Sequence, residues 1–480
     1  MSREKTLVKN TAILTIGKIC TQLITFFLLP LYTGILSTEE YGIVDLLNTL
    51  VSLLLPIVTF QVEQALFRRL IECRENETDK KSVISTGFFS VIIQCIIYLL
   101  IFFVISPLVH NKYKIFLATN VVAYIFTSLF QQIARGVGDN KQYAIGSFIS
   151  AFVTIIANII FLIFIKLGAI GMLLGSMLGQ VACFMYLFII LKLYKYISVK
   201  EFQYELLKKL WKYSIPLIPN SISWWVFNAS DRVIVSAILG VGQNGILSAA
   251  HKFSTVYITL YNIFNMSWTE MVAVHINDID IQEFLNKMFN KVLKLFVAMG
   301  FGIIACIPVV YPIMINEKFS EGYYLVPIMI LGSIFNVVVG LISVIYVAKK
   351  NTKAIANTSA VSAIINIVVH LLLIKFLGLF AAAISTLTAY FVMSLYRLYD
   401  IKKRYFKIDI DKKFILISII VLLIILPIYY LNNLILNIIG IIVAIVFAWF
   451  VNKDSIHIVL NFVKDKIKLH KEVEIWLMNI

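Results

Sequence analysis

Apolar runs of about twenty residues, separated by short polar breaks, recur along the whole of this 480-residue chain. A run of that length crosses the hydrocarbon of a bilayer as a helix rising ~1.5 Å per residue. The pattern predicts fourteen membrane helices, at 10–34, 41–61, 82–105, 114–134, 143–165, 169–191, 214–239, 244–271, 292–315, 323–347, 354–374, 377–397, 413–431 and 434–451. Asn432 and Asn433 break the last apolar block into a hairpin of two short spans. Two stretches read differently. Between 192 and 213, Leu206, Leu207, Leu210 and Trp211 lie beside Lys208, Lys209 and Lys212, the pattern of an amphipathic helix on the inner membrane surface. The tail beyond Lys453, with Ile456, Leu460, Val463 and Ile467 on one face, reads the same way.

Composition agrees with the pattern. Sixty per cent of residues are hydrophobic and 14% charged, against about 45–50% and about 25% in soluble domains. The fold class is therefore an all-α polytopic membrane protein. A net charge of +16 would suggest nucleic acid in a soluble domain, but the placement of the charges says otherwise. With the N-terminus inside, 34 of the 42 Lys and Arg fall in inner segments. Five lie in outer loops (Lys112, Lys114, Lys166, Lys318, Lys375) and three within spans (Lys18, Arg232, Lys252). Such a bias orients a membrane protein with its positive segments in the cytoplasm. Both termini are expected there, and no nucleic-acid partner is implied. The five cysteines are scattered without ligand spacing and read as small core residues. The first apolar run is too long for a cleaved signal peptide and contains Lys18. No loop is long enough to fold as a soluble catalytic domain.

The chain repeats itself. Residues 35–44 (ILSTEEYGIV) match 238–247 (ILGVGQNGIL), a displacement of 203; 153–158 resemble 361–366 at 208; Leu167-Gly168 resembles Leu377-Gly378 at 210. Six spans separate equivalent segments, so the repeat is parallel, about an axis along the membrane normal. The expected organisation is a six-helix lobe at 1–192, a cytoplasmic amphipathic linker at 193–213 and a second six-helix lobe at 214–400. An extra two-helix hairpin at 401–452 and an amphipathic tail at 453–480 follow. Two such lobes imply a central cavity and rocking between them.

A basic N-terminus leads into Asn10-Thr11, then a span ending near Pro30, then Tyr41-Gly42. Arg135-Gly136 follows, with Tyr143 eight positions after the arginine, and later Asp231-Arg232, Leu239-Gly240 and Gly245-Ile246. In this order the residues resemble the O-antigen and capsule polysaccharide flippases, relatives of multidrug extruders and lipid II flippases. The resemblance implies carriage of undecaprenyl-diphosphate-linked sugar units from the inner to the outer leaflet of the cytoplasmic membrane, by alternating access. It also implies contact with membrane lipid and with the polysaccharide polymerase and chain-length machinery. No cofactor or metal is implied.

Several residues are candidates for lining the cavity. Thr11, Thr15, Lys18, Gln22 and Thr25 make one polar face of the first span, and a charge at mid-span costs ~3 kcal/mol if it meets lipid. Asp45, Asn48, Thr49 and Ser52 share a face of the second; the repeat maps them onto Ser248, His251, Lys252 and Thr255 of the eighth. Asn220, Ser223, Asn228 and Asp231 recur at three- and four-residue steps, with Arg232 adjacent. Three buried cations, Lys18, Arg232 and Lys252, stand against two anions, Asp45 and Asp231. Either they line an anion-accepting site or they pair with one another, and an Asp–Arg pair can open when a phosphate arrives. Arg68, Arg69 and Arg135, at inner span ends, are positive-inside anchors or guides for an anionic headgroup. His370 is a lone histidine, expected as a satisfied core residue. Trp224 and Trp225, mid-span, are expected to pack, with sugar stacking as the alternative.

Two other transport classes fit less well. A cation-coupled drug extruder usually has twelve spans and lacks this cationic surplus; a lipid II flippase tends to carry an Arg–Asp pair on its first span, where this chain has Lys18 beside Ile19. A membrane enzyme would need a nucleophile, metal or nucleotide motif, and none is visible.

Overall fold

The computed structural model describes residues 25–108 and 111–453, and all regular structure there is helical. Lys18, Gln22 and the tail from 454 lie outside the described residues, as does most of the first expected span. The helices form two compact units. The first holds the described residues of Met1–Lys252 with Met314–Gly322 and Ser359–Ser385; the second holds Phe253–Ile313, Tyr323–Thr358 and the described part of Thr386–Ile480.

Along the first stretch run α1 (Leu29–Ile35), α2 (Thr38–Val58), α3 (Val62–Glu72), α4 (Glu77–Ile105), α5 (Lys114–Gly136), α6 (Asn140–Ile159) and α7 (Ala169–Ile190). Then come α8 (Tyr204–Ser214), α9 (Ile218–Ile238) and α10 (Val241–His275). The rest are α11 (Ile281–Met314), α12 (Val326–Ala348), α13 (Thr352–Leu377), α14 (Phe380–Arg404), α15 (Lys412–Leu431) and α16 (Leu434–Lys453). Among the described residues eleven helices are long and apolar enough to cross a membrane: α2, α4 to α7 and α11 to α16. This is a multi-pass membrane protein. Helices α9 and α10, of 21 and 35 residues, have the length as well and carry the polar positions singled out above.

Local chemistry sets the breaks. The Ser37 hydroxyl accepts from Glu40 N–H and the Glu40 carboxylate accepts from Ser37 N–H, both at 3.1 Å, so α2 starts on a reciprocal cap. It ends at Phe60 and Gln61, whose φ of 51° and 54° no helix continues through. After that bend α3 runs antiparallel to α4: Gln94 Nε2 donates to Thr59 O at 3.1 Å, and Leu66 fills the space beside Gly87. The stretch expected as a surface helix is α8, with Leu207 and Leu210 buried and Lys208 and Lys209 exposed. The segment before it is tied to α4, where Ser85 Oγ donates to Tyr196 O at 2.6 Å and Ser82 Oγ to Glu201 O at 3.1 Å.

The repeat shows in the backbone. Gly168 and Gly378 both take positive φ, 57° and 54°. At the α5–α6 turn Asp139 N–H donates to Ala134 O at 2.8 Å, and Asp139 Oδ1 accepts from Gln142 N–H. At the α12–α13 turn, 212 residues on, Asn351 N–H donates to Tyr346 O at 2.8 Å and Asn351 Oδ1 accepts from Ala354 N–H. Gly138 and Lys350 hold the left-handed position in each. Near the start of α2 and of α10, Gly42 and Gly245 are in backbone contact. A Cβ on Gly42 would overlap the Val241 carbonyl oxygen, and one on Gly245 would overlap that of Thr38.

In the second unit Tyr257 Oη donates to Phe296 O at 3.0 Å and Trp268 Nε1 to Leu341 O at 3.3 Å, joining α10, α11 and α12. Tyr323 and Tyr429 stack at 4.4 Å, and each hydroxyl donates to the other's carbonyl. One sequence reading changes here. Arg397, counted among the inner-segment charges, is 2% exposed within α14; its guanidinium donates to the Thr358 and Ser343 hydroxyls. It belongs to the packing of α12, α13 and α14 rather than to a loop.

Candidate functional site

All of the cluster lies in the first unit. Arg232, on α9, brings Nε to 3.0 Å from Asp45 Oδ2 on α2. At the start of α10, Asn244 Nδ2 donates to Gly42 O at 3.0 Å and reaches Asp45 Oδ2 at 3.4 Å. Asp45 thus gathers one cation and one amide from two different helices. Asp231 points elsewhere, because successive helical residues diverge by about 100°. It is 5% exposed, and its Oδ1 lies 3.0 Å from Nδ1 of His370 on α13, which is fully buried. The adjacent acid and base of α9 therefore do not pair with each other; each ties α9 to a different helix. His370 is buried as expected but only half satisfied: Asp231 is the partner of Nδ1, while Nε2 has none among the described residues.

Lys252 is placed differently. Among the described residues no carboxylate lies within 4 Å of its ammonium. It lines a cavity of about 550 Å³ whose other walls come from α1, α2, α5, α6 and α7. The lining is rich in uncharged hydrogen-bonding groups, among them Tyr32, Asn48, Tyr124, Gln131, Ser147, Asn158 and Gln180. Some are already committed: Asn158 Nδ2 donates to Tyr32 Oη at 2.9 Å, Gln131 Nε2 to Ser147 Oγ at 3.1 Å and Gln180 Nε2 to Ser150 Oγ at 3.2 Å. The Asn48 side-chain oxygen, Oδ1, is buried without a hydrogen-bond partner among the described residues. A neutral polar wall with aromatic edges suits hydroxyl-rich ligands, and an ammonium in the lining suits an anion.

The remaining expected residues divide. His251 sits half-buried beside Lys252 on α10. Asn228 is exposed and donates to Trp224 O of its own helix at 2.7 Å, so the stripe from Asn220 to Asp231 does not act as one face. Trp225 packs, as expected, with Nε1 donating to Thr49 O at 3.0 Å. Arg68 lies over the Tyr213 ring at 4.8 Å, and Arg69 pairs with Glu72 at 2.8 Å. Arg135 lies over Phe67 at 4.7 Å and Tyr143 at 5.7 Å, which accounts for the spacing of that arginine and tyrosine. These three arginines sit at the ends of α3 and α5, and none lines the cavity. Unanticipated from the sequence are Asn244, at the first position of the eighth expected span, and Glu63, 4% exposed on α3.

These features define a multi-pass membrane protein with a polar cavity that holds one cation among the described residues. The sequence matches the family described as polysaccharide biosynthesis protein over residues 7–269, more than half the chain, and the protein belongs to that family. Comparison with curated proteins gives no match. Among solved structures the fold is similar to a lipid II flippase, MurJ, in an inward closed conformation. That match has TM-score 0.69 and 18% identity, covering 93% of this chain and 100% of that one. It is also similar to an inward-facing MATE-family multidrug resistance transporter of the MOP superfamily (TM-score 0.62, 12% identity, 82% of this chain, 99% of that one). An outward-facing MATE transporter follows (TM-score 0.57, 11%, 82% and 95%). At such identities the likeness establishes the fold.

Proposed function

We propose that the protein translocates undecaprenyl-diphosphate-linked oligosaccharide units from the inner to the outer leaflet of the cytoplasmic membrane, for surface polysaccharide assembly. The two lobes, 1–192 and 214–400, alternate access, with both termini in the cytoplasm. The observation that carries this reading is Lys252 in the lining of a cavity rich in hydroxyls and amides. Its ammonium donates to the diphosphate while the neutral wall hydrogen-bonds the sugars. Asp45–Arg232 and Asp231–His370 act as crossbars that hold α9 against α2 and α13. No step makes or breaks a covalent bond.

The test uses purified protein in liposomes carrying an undecaprenyl-diphosphate oligosaccharide in one leaflet, with lipid II and a cationic drug as parallel substrates. Preferential movement of the oligosaccharide lipid is expected. Movement of lipid II alone, or of the drug alone, would reassign the substrate.

A further inference from the structure

A second polar cavity, of about 530 Å³, lies wholly within the second unit, between α11 and α16. Its cationic wall is Lys287, Lys291 and Lys294, at i, i+4 and i+7 on one face of α11. The opposite wall is the end of α16, where Asn452, 6% exposed, brings Nδ2 to 3.5 Å from Lys294 O.

The cavity has a built frame. Residues 407–411 run extended along α11 and are held by a ladder of amide side chains. The Gln282 amide both donates to and accepts from the Lys407 backbone. Asn286 Oδ1 accepts from Asp409 N–H at 2.9 Å. Asn290 Nδ2 donates to Asp409 O at 2.8 Å, and Asn290 Oδ1 accepts from Asp411 N–H at 3.0 Å. The two periods agree: four helical residues advance ~6.0 Å and two extended residues ~6.6 Å. Lys294 is then fixed by Asp411 at 2.7 Å. Lys287 and Lys291 have no carboxylate within 4 Å among the described residues; Glu283 is also in the lining.

Depth points to the ligand. Asn452 levels the end of the membrane helix α16 with Lys294, so Lys294 marks the edge of the hydrocarbon. Lys291 and Lys287 stand about 4.5 and 10 Å farther out along α11, within the headgroup layer. We infer that this cavity binds the phosphate of a lipid headgroup, held between Lys287 and Lys291 and backed by Lys294. The inference is separate from the transport reading, because its test measures binding alone.

Full-length protein in uncharged detergent is titrated with phosphatidylglycerol, phosphatidylcholine, undecaprenyl phosphate and inorganic phosphate, reading lipid adducts by native mass spectrometry and the thermal midpoint. Adducts and stabilisation with phosphatidylglycerol or undecaprenyl phosphate are expected, and which binds more tightly names the headgroup. In Lys287→Gln/Lys291→Gln binding weakens about tenfold or more. It is retained in Lys287→Arg/Lys291→Arg, and in Lys402→Gln/Lys403→Gln, which removes two exposed charges outside the cavity. Equal weakening in the Lys402/Lys403 variant, equal binding of phosphatidylcholine, or stabilisation by inorganic phosphate alone would overturn the inference.

Discussion

Gly42 and Gly245 touch backbone to backbone, and the contact is reciprocal: Gly42 lies against the Val241 carbonyl and Gly245 against the Thr38 carbonyl. Both pairs are related by the same 203-residue displacement found in the sequence. Equivalent residues of the two repeated segments meet one another directly. The repeat is thus a packing relationship between the starts of α2 and α10 as well as an echo of sequence.

Alanine at either glycine is therefore costly. In an ordinary helix Gly→Ala stabilises by about 1 kcal/mol. Here the new methyl group would overlap a backbone carbonyl, which cannot rotate away, and overpacking of this kind costs about 1–3 kcal/mol. Gly42→Ala and Gly245→Ala are expected to lower the thermal midpoint, whereas Gly302→Ala, with open space at its Cβ, is expected to leave it unchanged or raised. Fluorescence-monitored unfolding in detergent separates the three.

Asp45 and Arg232 form a crossbar in this account, so exchanging their charges should be tolerated better than removing one. Asp45→Asn and Arg232→Gln should each impair transport. The exchange Asp45→Arg/Arg232→Asp should recover most of it, with a coupling of about 1–3 kcal/mol in the stability cycle. Recovery of stability without transport would show that Arg232 itself contacts substrate.

The buried Asp231–His370 pair predicts a graded response. His370→Leu removes the donor and should destabilise by about 3 kcal/mol, the usual effect of breaking a buried pair. His370→Gln keeps an N–H in the same region and should cost less. Folded yield after detergent extraction, with the thermal midpoint, gives the order.

Lys294 beside Asp411, together with the N–H groups of Phe414 and Lys413, holds the Asp411 carboxyl below its ordinary value. A carboxyl lowered in the folded state adds stability above its unfolded pKa and loses it as pH falls through the folded one. Wild type should exceed Asp411→Asn by about 1 kcal/mol or less, since the pair is partly exposed. That gap should hold from pH 8 to 5 and close below pH about 4. A gap that widened in acid would contradict the assignment.

Much of this was legible in the sequence, for physical reasons. Period and length place helices because lipid leaves the backbone no other way to satisfy its hydrogen bonds. The Gly168 and Gly378 match reflects a shared left-handed turn, and the charge bias marks helix ends. The partners of the polar residues were not legible. Asp231 and Arg232 are neighbours in sequence, yet their side chains diverge by about 100° and meet His370 and Asp45, on helices far along the chain. The amide ladder was hidden too, because Gln282, Asn286 and Asn290 fall outside the expected span and read as solvated loop.

Lys252 is the cation proposed to receive the diphosphate, and transport by its variants tests that role most directly. Initial rates of undecaprenyl-diphosphate oligosaccharide translocation are measured in liposomes for wild type, Lys252→Ala and Lys252→Arg at equal amounts of folded protein. At least about a tenfold loss is expected in Lys252→Ala, corresponding to one charge-assisted hydrogen bond of about 1.5–3 kcal/mol, with substantial activity in Lys252→Arg. Wild-type rates in Lys252→Ala would contradict it.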